Sequence, residues 1–187
     1  MSPTRRELLA AAAQAPLAAP LIAAAPLAGA AAARAADPEA ERAKRALRAA
    51  VAGEQTTAVA FEAIANSGKI GAAHVETMRV LLDHAKAHST ALEDMYASAT
   101  GEDKPLPPTR TEIAGLDKLH DERGALRLAL RLQGRAIARH LDAIRLYRNP
   151  TALRLIAGAM GTDAQHLVLL RALLHEQPVP HPFERGA

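Results

Sequence analysis

The most informative chemical feature of this sequence is a carboxylate and an imidazole three residues apart, at Asp163 and His166. On a helix, this spacing places both side chains on the same face, one turn apart. Helix bundles use such a carboxylate-x-x-histidine pair to hold one metal ion of a carboxylate-bridged pair in the bundle interior. The segment therefore predicts a metal-binding helix whose functional side chains point inward.

A second copy of this spacing occurs earlier in the chain, and it is incomplete. His88 is present, but the position three residues before it is Ala85. Two further polar residues fall on predicted inner helix faces at mid-helix height, namely Glu54 and Gln133. The polar positions thus suggest one metal centre that has lost part of its ligand set.

Four amphipathic helices are needed to position these side chains. Apolar residues recur at three- and four-residue steps, which predicts helices. Proline, glycine and asparagine separate them. The predicted ranges are 39–65, about 72–98, about 121–148 and about 150–174. Thr100-Gly101 and Pro105-Leu106-Pro107-Pro108 predict a crossover between two helix pairs, followed by a short helical piece at 112–119. This pattern predicts an all-α four-helix bundle.

Several motifs resemble those of exported bacterial ferritin-like domain proteins. Glu54-Gln55-Thr56-Thr57-Ala58-Val59-Ala60-Phe61-Glu62 is similar to their first helix, His84-Ala85-Lys86-Ala87-His88 to their second motif, and Asp163-Ala164-Gln165-His166 to their fourth. The tail from Pro178 to Glu184 also resembles exported members. The resemblance covers roughly residues 40–185 and implies a ferritin-like four-helix bundle with a long crossover.

The resemblance also implies a degenerate di-iron carboxylate site. The family usually has glutamate where this chain has Ala85, Gln133 and Asp163. Four negative charges would neutralise two divalent ions, whereas only Glu54 and Asp163 remain as carboxylates. The candidate metal ligands are Glu54, His88, Asp163 and His166.

Three interpretations of this centre remain open. A dinuclear site is the least compatible with the lost carboxylates. A single ion, with iron, manganese and zinc as candidates, could be held by the two carboxylates and two imidazoles. A metal-free polar network could instead pair Glu54 and Asp163 with His88 and His166, with Gln133 as a bridge. His140 is interpreted as a hydrogen-bonded core residue, and His84 as a histidine at the rim.

Residues 1–36 have the pattern of a signal peptide and not of the folded domain. Arg5 and Arg6 precede an uncharged, alanine-rich run, and the small residues at 31–36 offer A-x-A cleavage positions. The paired arginines resemble a twin-arginine leader. The alternative is an uncleaved membrane anchor, although three prolines and many alanines make the run only modestly hydrophobic. The expected organisation is a leader at 1–36, the bundle at 37–177 and an extended tail at 178–187.

Composition narrows the range of functions. The chain contains no cysteine, which excludes disulfides, thiolate nucleophiles and iron–sulfur clusters built from this chain. Its net charge is +3, its basic residues are interspersed with acids, and aromatic residues are nearly absent. Nucleic-acid binding is therefore not expected. We expect an exported protein, in the periplasm, cell envelope or extracellular space, with no stable membrane span after cleavage.

The sequence supports two functional classes. One is a non-catalytic binding or structural module with an unidentified partner. The other is a metal-dependent oxidase or iron-handling protein that uses a single ion or a residual metal pair. Whether the chain is an enzyme is left open, and a homo-oligomer is compatible with either class.

Overall fold

The computed structural model describes residues 37–180. Within this range the chain forms four long helices: α1 (Pro38–Ala65), α2 (Ala72–Thr100), α3 (Glu122–Leu146) and α4 (Pro150–Leu173). The four-helix prediction is confirmed, with boundaries within about two residues of those expected. The predicted leader and residues 181–187 of the predicted tail lie outside the described residues.

Local signals at the helix ends explain where the helices begin. Asp37 accepts a hydrogen bond from the Glu39 amide at the start of α1, and Asn149 accepts from the Thr151 and Ala152 amides at the start of α4. A proline follows each of these caps, where its missing amide hydrogen costs no helical hydrogen bond. Asp121 likewise accepts from the Gly124 amide and begins α3.

The connections follow turn chemistry and the expected crossover. Helix α2 ends at Thr100, and the next residue, Gly101, has a left-handed φ of 69° that favours glycine. The segment that follows contains two short 3₁₀ helices, Arg110–Glu112 and Leu116–Lys118, where a single short helical piece was expected. The break between them occurs at Gly115, which has a φ of 92° that an α-helix cannot include.

The apolar core consists of two clusters, one toward each end of the bundle. One cluster includes Phe61, Met78 and Leu126, and the other includes Leu47 and Tyr96. Helix α2 ends beside the second cluster, whereas α3 begins beside the first. The crossover therefore runs along the length of the bundle, and α2 and α3 point the same way.

This arrangement fixes the surroundings of the polar residues. Both α2 and α3 run antiparallel to α1, and each of them packs against it. Glu54 lies on α1 between the stretches that supply the two apolar clusters. The buried polar side chains from all four helices consequently meet midway along the bundle. No helix within residues 37–180 combines the length and apolarity that a membrane span requires.

Candidate metal centre

Each of the four helices contributes to one buried polar centre. Glu54 on α1 and Asp163 on α4 have side chains that are at most 1 % exposed, and His88 on α2 is 16 % exposed. His140 on α3 is fully buried. Their helices carry these residues on the inward faces, in line with the apolar residues above and below them. The centre is thus built into the core and is not a surface feature.

His88 and the two carboxylates approach one another closely. His88 Nδ1 lies 3.4 Å from Asp163 Oδ1 and 3.7 Å from Glu54 Oε2. One ligand atom from each of these three residues can be chosen so that all lie within 4.8 Å of one another. Two ligands held about 2.1 Å from one ion at tetrahedral or octahedral angles are themselves about 3.0–3.4 Å apart. The trio therefore needs only small movements to coordinate one ion.

His140 connects the same two carboxylates from the other side. Its Nε2 lies 2.7 Å from Glu54 Oε1 and 3.2 Å from Asp163 Oδ2. The single hydrogen on Nε2 is donated to Glu54, which leaves Asp163 Oδ2 without a hydrogen bond. The position of His140 in the core agrees with its expected role, but its contact with both carboxylates was missed. A signal was available, because His140 follows Gln133 by seven residues, which is two helical turns on one face.

His166 lies beside the trio and interacts with other groups. Its Nδ1 is 3.8 Å from Asp163 Oδ1 but 3.3 Å from Gln133 Oε1, and its Nε2 is 3.0 Å from His84 Nδ1. The polar network expected from the sequence paired the carboxylates with His88 and His166. In the structure His140 takes the pairing expected for His166, because His140 reaches both carboxylates from α3. Gln133 contacts His166 and bridges no carboxylate.

The electrostatics of the centre favour charged carboxylates facing charged imidazoles. Burial lowers the pKa of His88 and of His140, but the interactions with Asp163 and Glu54 outweigh it and raise each pKa to about 9. Burial raises the pKa of Asp163, yet His140 and His88 overcome it and hold that pKa below its usual value. Burial lowers the pKa of His166 to about 4; Asp163 opposes this shift, and His84 and His88 add to it. At neutral pH His166 is therefore uncharged, whereas His88 and His140 are protonated.

Several buried atoms of the centre lack hydrogen-bond partners. They are Glu54 Oε2, both oxygens of Asp163, His88 Nδ1, His140 Nδ1 and Gln133 Nε2. Buried polar atoms in folded proteins are nearly always paired, so such a group needs an explanation. Four of these atoms belong to the Glu54, His88 and Asp163 trio, and all four are types of atom that ligate metal ions. The donor set thus fits one bound cation.

The same residues do not fit a pair of divalent ions. Ala85, where a bridging carboxylate would be needed, is 1 % exposed and contributes only a methyl group to the apolar core. Gln133 offers a neutral amide oxygen, which already contacts His166. Two carboxylates balance the charge of one divalent ion and leave a second uncompensated in the low-dielectric interior.

The described residues define an all-α four-helix bundle with a carboxylate–histidine centre between its helices. Residues 42–176 match the family described as ferritin-like domain. The chain belongs to the ferritin-like domain family.

A solved structure shares this fold. It is titled as a conserved hypothetical protein, rv2844, from Mycobacterium tuberculosis, and it superposes with a TM-score of 0.66 at 16 % sequence identity. The match covers 78 % of this chain and 99 % of that chain, and at this identity it concerns the fold alone. No curated protein matches the chain.

Proposed function

We propose that this chain is a ferritin-like protein that binds one divalent metal ion through Glu54, His88 and Asp163. The observation that carries the proposal is the convergence of unpaired, buried ligand atoms from these three residues within 4.8 Å. The centre retains ligands on three helices, so that a bound ion would link α1, α2 and α4. His166, although predicted as a ligand, is assigned a different role below.

Charge balance supports a single ion in this centre. Without metal, the protons on His88 and His140 balance the charges of Glu54 and Asp163. A divalent ion balances the same two carboxylates when His88 releases its proton to become a ligand and His140 becomes neutral. Binding one ion therefore leaves the buried charge unchanged and releases two protons, a coupling expected for imidazole ligands.

The donor set narrows the identity of the ion. Carboxylate oxygens favour manganese and ferrous ions, and an imidazole nitrogen adds affinity for iron and zinc. Three protein ligands leave coordination positions open to water or substrate, as in catalytic sites. A bound ion would supply Lewis acidity, or electron transfer to dioxygen or peroxide if it is iron or manganese. The residues of the chain would hold the ion in the core of the bundle, between α1, α2 and α4.

The proposal is tested by counting bound metal. The mature protein is stripped with a chelator and loaded with ferrous (without air), manganous or zinc ions, and the bound metal is then counted by elemental analysis. We expect one ion per chain, lost in Asp163→Asn and His88→Ala. The matched control is Ser89→Ala, the neighbour of His88 on the same helix, which should retain the ion. Two tightly bound ions per chain would contradict the single-ion proposal.

A second candidate function is supported by the His140 contacts. An imidazolium bonded to Glu54 and close to Asp163 could satisfy the centre without metal, in a non-catalytic binding or structural module. In that case no ion is retained under any loading condition, and His140→Ala lowers stability much more than His166→Ala. Retention of one ion by the wild type would favour the first candidate.

We also propose that the protein is exported with a twin-arginine leader. The proposal rests on Arg5, Arg6 and the alanine-rich run after them, which lie outside the described residues. A C-terminally tagged full chain, expressed in bacteria with and without a functional twin-arginine system, tests it. We expect a shortened product outside the cytoplasm only when that system works, and its loss when Arg5 and Arg6 are both changed to lysine. Unprocessed protein in the membrane fraction would indicate an anchor instead.

A further inference from the structure

Three imidazoles form a row between helices α2 and α4. The rings of His84 and His166 are stacked, with centroids 5.2 Å apart and an interplanar angle of 12°. The rings of His166 and His88 follow, at 6.4 Å and 18°. His84 is exposed, whereas His166 is 2 % exposed. The row thus leads from solvent at His84 to the ligand trio at His88.

Hydrogen bonding fixes the direction in which His166 presents its lone pair. Gln133 Oε1, which can only accept, lies 3.3 Å from His166 Nδ1, so that Nδ1 carries the hydrogen. In a neutral imidazole the other nitrogen, Nε2, then holds the free lone pair. This Nε2 faces His84 Nδ1 at 3.0 Å. The metal-binding atom of His166 therefore points outward to the exposed histidine and away from Asp163.

We propose that His84 and His166 form an outer site that captures a divalent metal ion from solvent and passes it to Glu54, His88 and Asp163. This inference rests on the proposed single-ion function and adds an entry route to it. Two imidazole nitrogens 3.0 Å apart can each lie about 2.1 Å from one ion, at an angle of about 90°. For this, His84 must carry its hydrogen on Nε2, which leaves Nδ1 free to bind, and the two rings must turn so that both lone pairs point at the ion.

The route inward is short and contains ligand atoms throughout. His166 follows Asp163 by one helical turn, and its Nδ1 lies 3.8 Å from Asp163 Oδ1. His84 precedes His88 by one turn on α2 in the same way. Each residue of the outer pair is therefore adjacent to one residue of the inner trio. Glu54 and Asp163 are at most 1 % exposed, so an ion from solvent reaches them only past other side chains.

The kinetics of loading test the inference. Stripped protein is mixed with Co²⁺ in a stopped-flow instrument, and the visible absorption of the bound ion is followed. Because supporting groups around a metal change affinity by about 10- to 100-fold, we expect His84→Ala to load about tenfold more slowly. The final amount of inner-site metal should be unchanged. The matched control is His120→Ala, another exposed histidine, located before the start of α3 and away from the centre.

A second measurement separates the outer pair from the inner trio. His88→Ala disables the inner site, and this variant should still hold one weakly bound Cu²⁺ with a two-nitrogen signature in electron paramagnetic resonance. The signature should disappear in the double variant His84→Ala/His88→Ala.

The outcomes distinguish the two proposals. Equal or faster loading in His84→Ala, with one ion bound in the wild type, would overturn the entry route while the single-ion function stands. If the wild type binds no ion at the inner trio while His88→Ala still binds Cu²⁺, the proposed function is overturned but the outer pair remains a metal site. Absence of both would overturn both.

Discussion

On helices α1 and α2, residues that are neighbours in the sequence belong to two different polar clusters. Glu54 on α1 and His88 on α2 belong to the candidate metal centre. The residues that follow them, Gln55 and Ser89, belong to a second cluster that includes Glu93 and the backbone of Pro105. A rotation of about 100° per residue separates the two clusters around each helix.

The second cluster forms hydrogen bonds mainly with other parts of the protein. Gln55 Nε2 donates to Glu93 Oε1 at 2.9 Å and to the Pro105 carbonyl at 2.6 Å, and Ser89 Oγ donates to Glu93 Oε1 at 2.7 Å. These bonds tie the crossover to α1 and α2. Among their buried side-chain atoms only Gln55 Oε1 lacks a partner.

The two clusters differ in whether their buried polar atoms have hydrogen-bond partners. In the Gln55 cluster, donors and acceptors find one another, which is what a network that holds the fold requires. In the metal centre, both carboxylates keep unpaired oxygens although charged imidazoles lie within 4 Å. Burial of polar groups therefore does not by itself indicate a functional site. The candidate metal centre differs in that its unpaired atoms are of ligand type and converge on one point.

The largest effect is expected from removing one of the two carboxylates that face both imidazoles. Asp163→Ala leaves His88 and His140 with one carboxylate between them, and removing one partner of a buried ion pair costs about 3–5 kcal/mol. We expect the free energy of unfolding of the metal-free protein, measured with urea, to fall by that amount, together with loss of metal binding. The exposed pair Lys86–Glu62 provides a control, because Lys86→Ala should cost about 1 kcal/mol or less. An unchanged urea midpoint in Asp163→Ala would mean that the centre contributes nothing to the fold.

A strong pH dependence should also distinguish the metal centre. His88 and His140 have a pKa of about 9 in the folded protein against 6.5 for the free side chain. Since the folded pKa is raised, the stabilisation is fully present below pH 6.5 and is lost as the pH rises through 9. Asp163 has a lowered pKa, so its contribution is lost only when the pH falls below its ordinary value of 3.8.

The expected loss of stability with rising pH comes from His88 and His140. We expect the metal-free protein to lose about 2–4 kcal/mol of stability between pH 6.5 and pH 9, roughly the contribution of one such shift, because both imidazoles share the same two carboxylates. The measurement is urea unfolding at both values. His140→Gln should reduce this loss, whereas Gln55→Ala should leave it unchanged. Constant stability over this range would show that the imidazoles are not protonated in the folded state.

Metal binding should stabilise the protein through the centre alone. An ion that binds only the folded chain adds about 2.7 kcal/mol at a free concentration 100 times its Kd. We expect this gain in thermal or urea unfolding of the wild type and of Glu93→Gln, but not of His88→Ala. A gain that survives in His88→Ala would place the ion elsewhere.

Helical periodicity was enough to predict the bundle and to bring Glu54, His88 and Asp163 together. A residue's place along an amphipathic helix specifies both the face and the height at which its side chain enters the core. The helix boundaries could also be predicted, because Asp37-Pro38 and Asn149-Pro150 are local signals that do not depend on the rest of the fold.

The partner of each side chain within the centre could not be predicted from the sequence in the same way. His140 and His166 both point inward, and their relative heights depend on how α3 and α4 pack, which periodicity does not specify. The contact between Gln55 and Pro105 depends on the path of the crossover, a segment without any repeat. Sequence thus predicts which residues enter the core, whereas the partner of each depends on interhelical geometry.

The smallest effect on stability is expected in the second cluster, and a variant there compares the two clusters directly. Gln55→Ala removes two hydrogen bonds and leaves Glu93 and the Pro105 carbonyl with fewer donors, which should cost about 1–2 kcal/mol of stability. Because no atom of Gln55 belongs to the ligand trio, the variant should bind one metal ion with unchanged affinity in a calorimetric titration. Its neighbour variant Glu54→Gln, which keeps the size of the side chain and removes its charge, should lose most of that affinity. If both variants lost the metal equally, the two clusters would be one coupled network, and unpaired atoms would not identify the functional one.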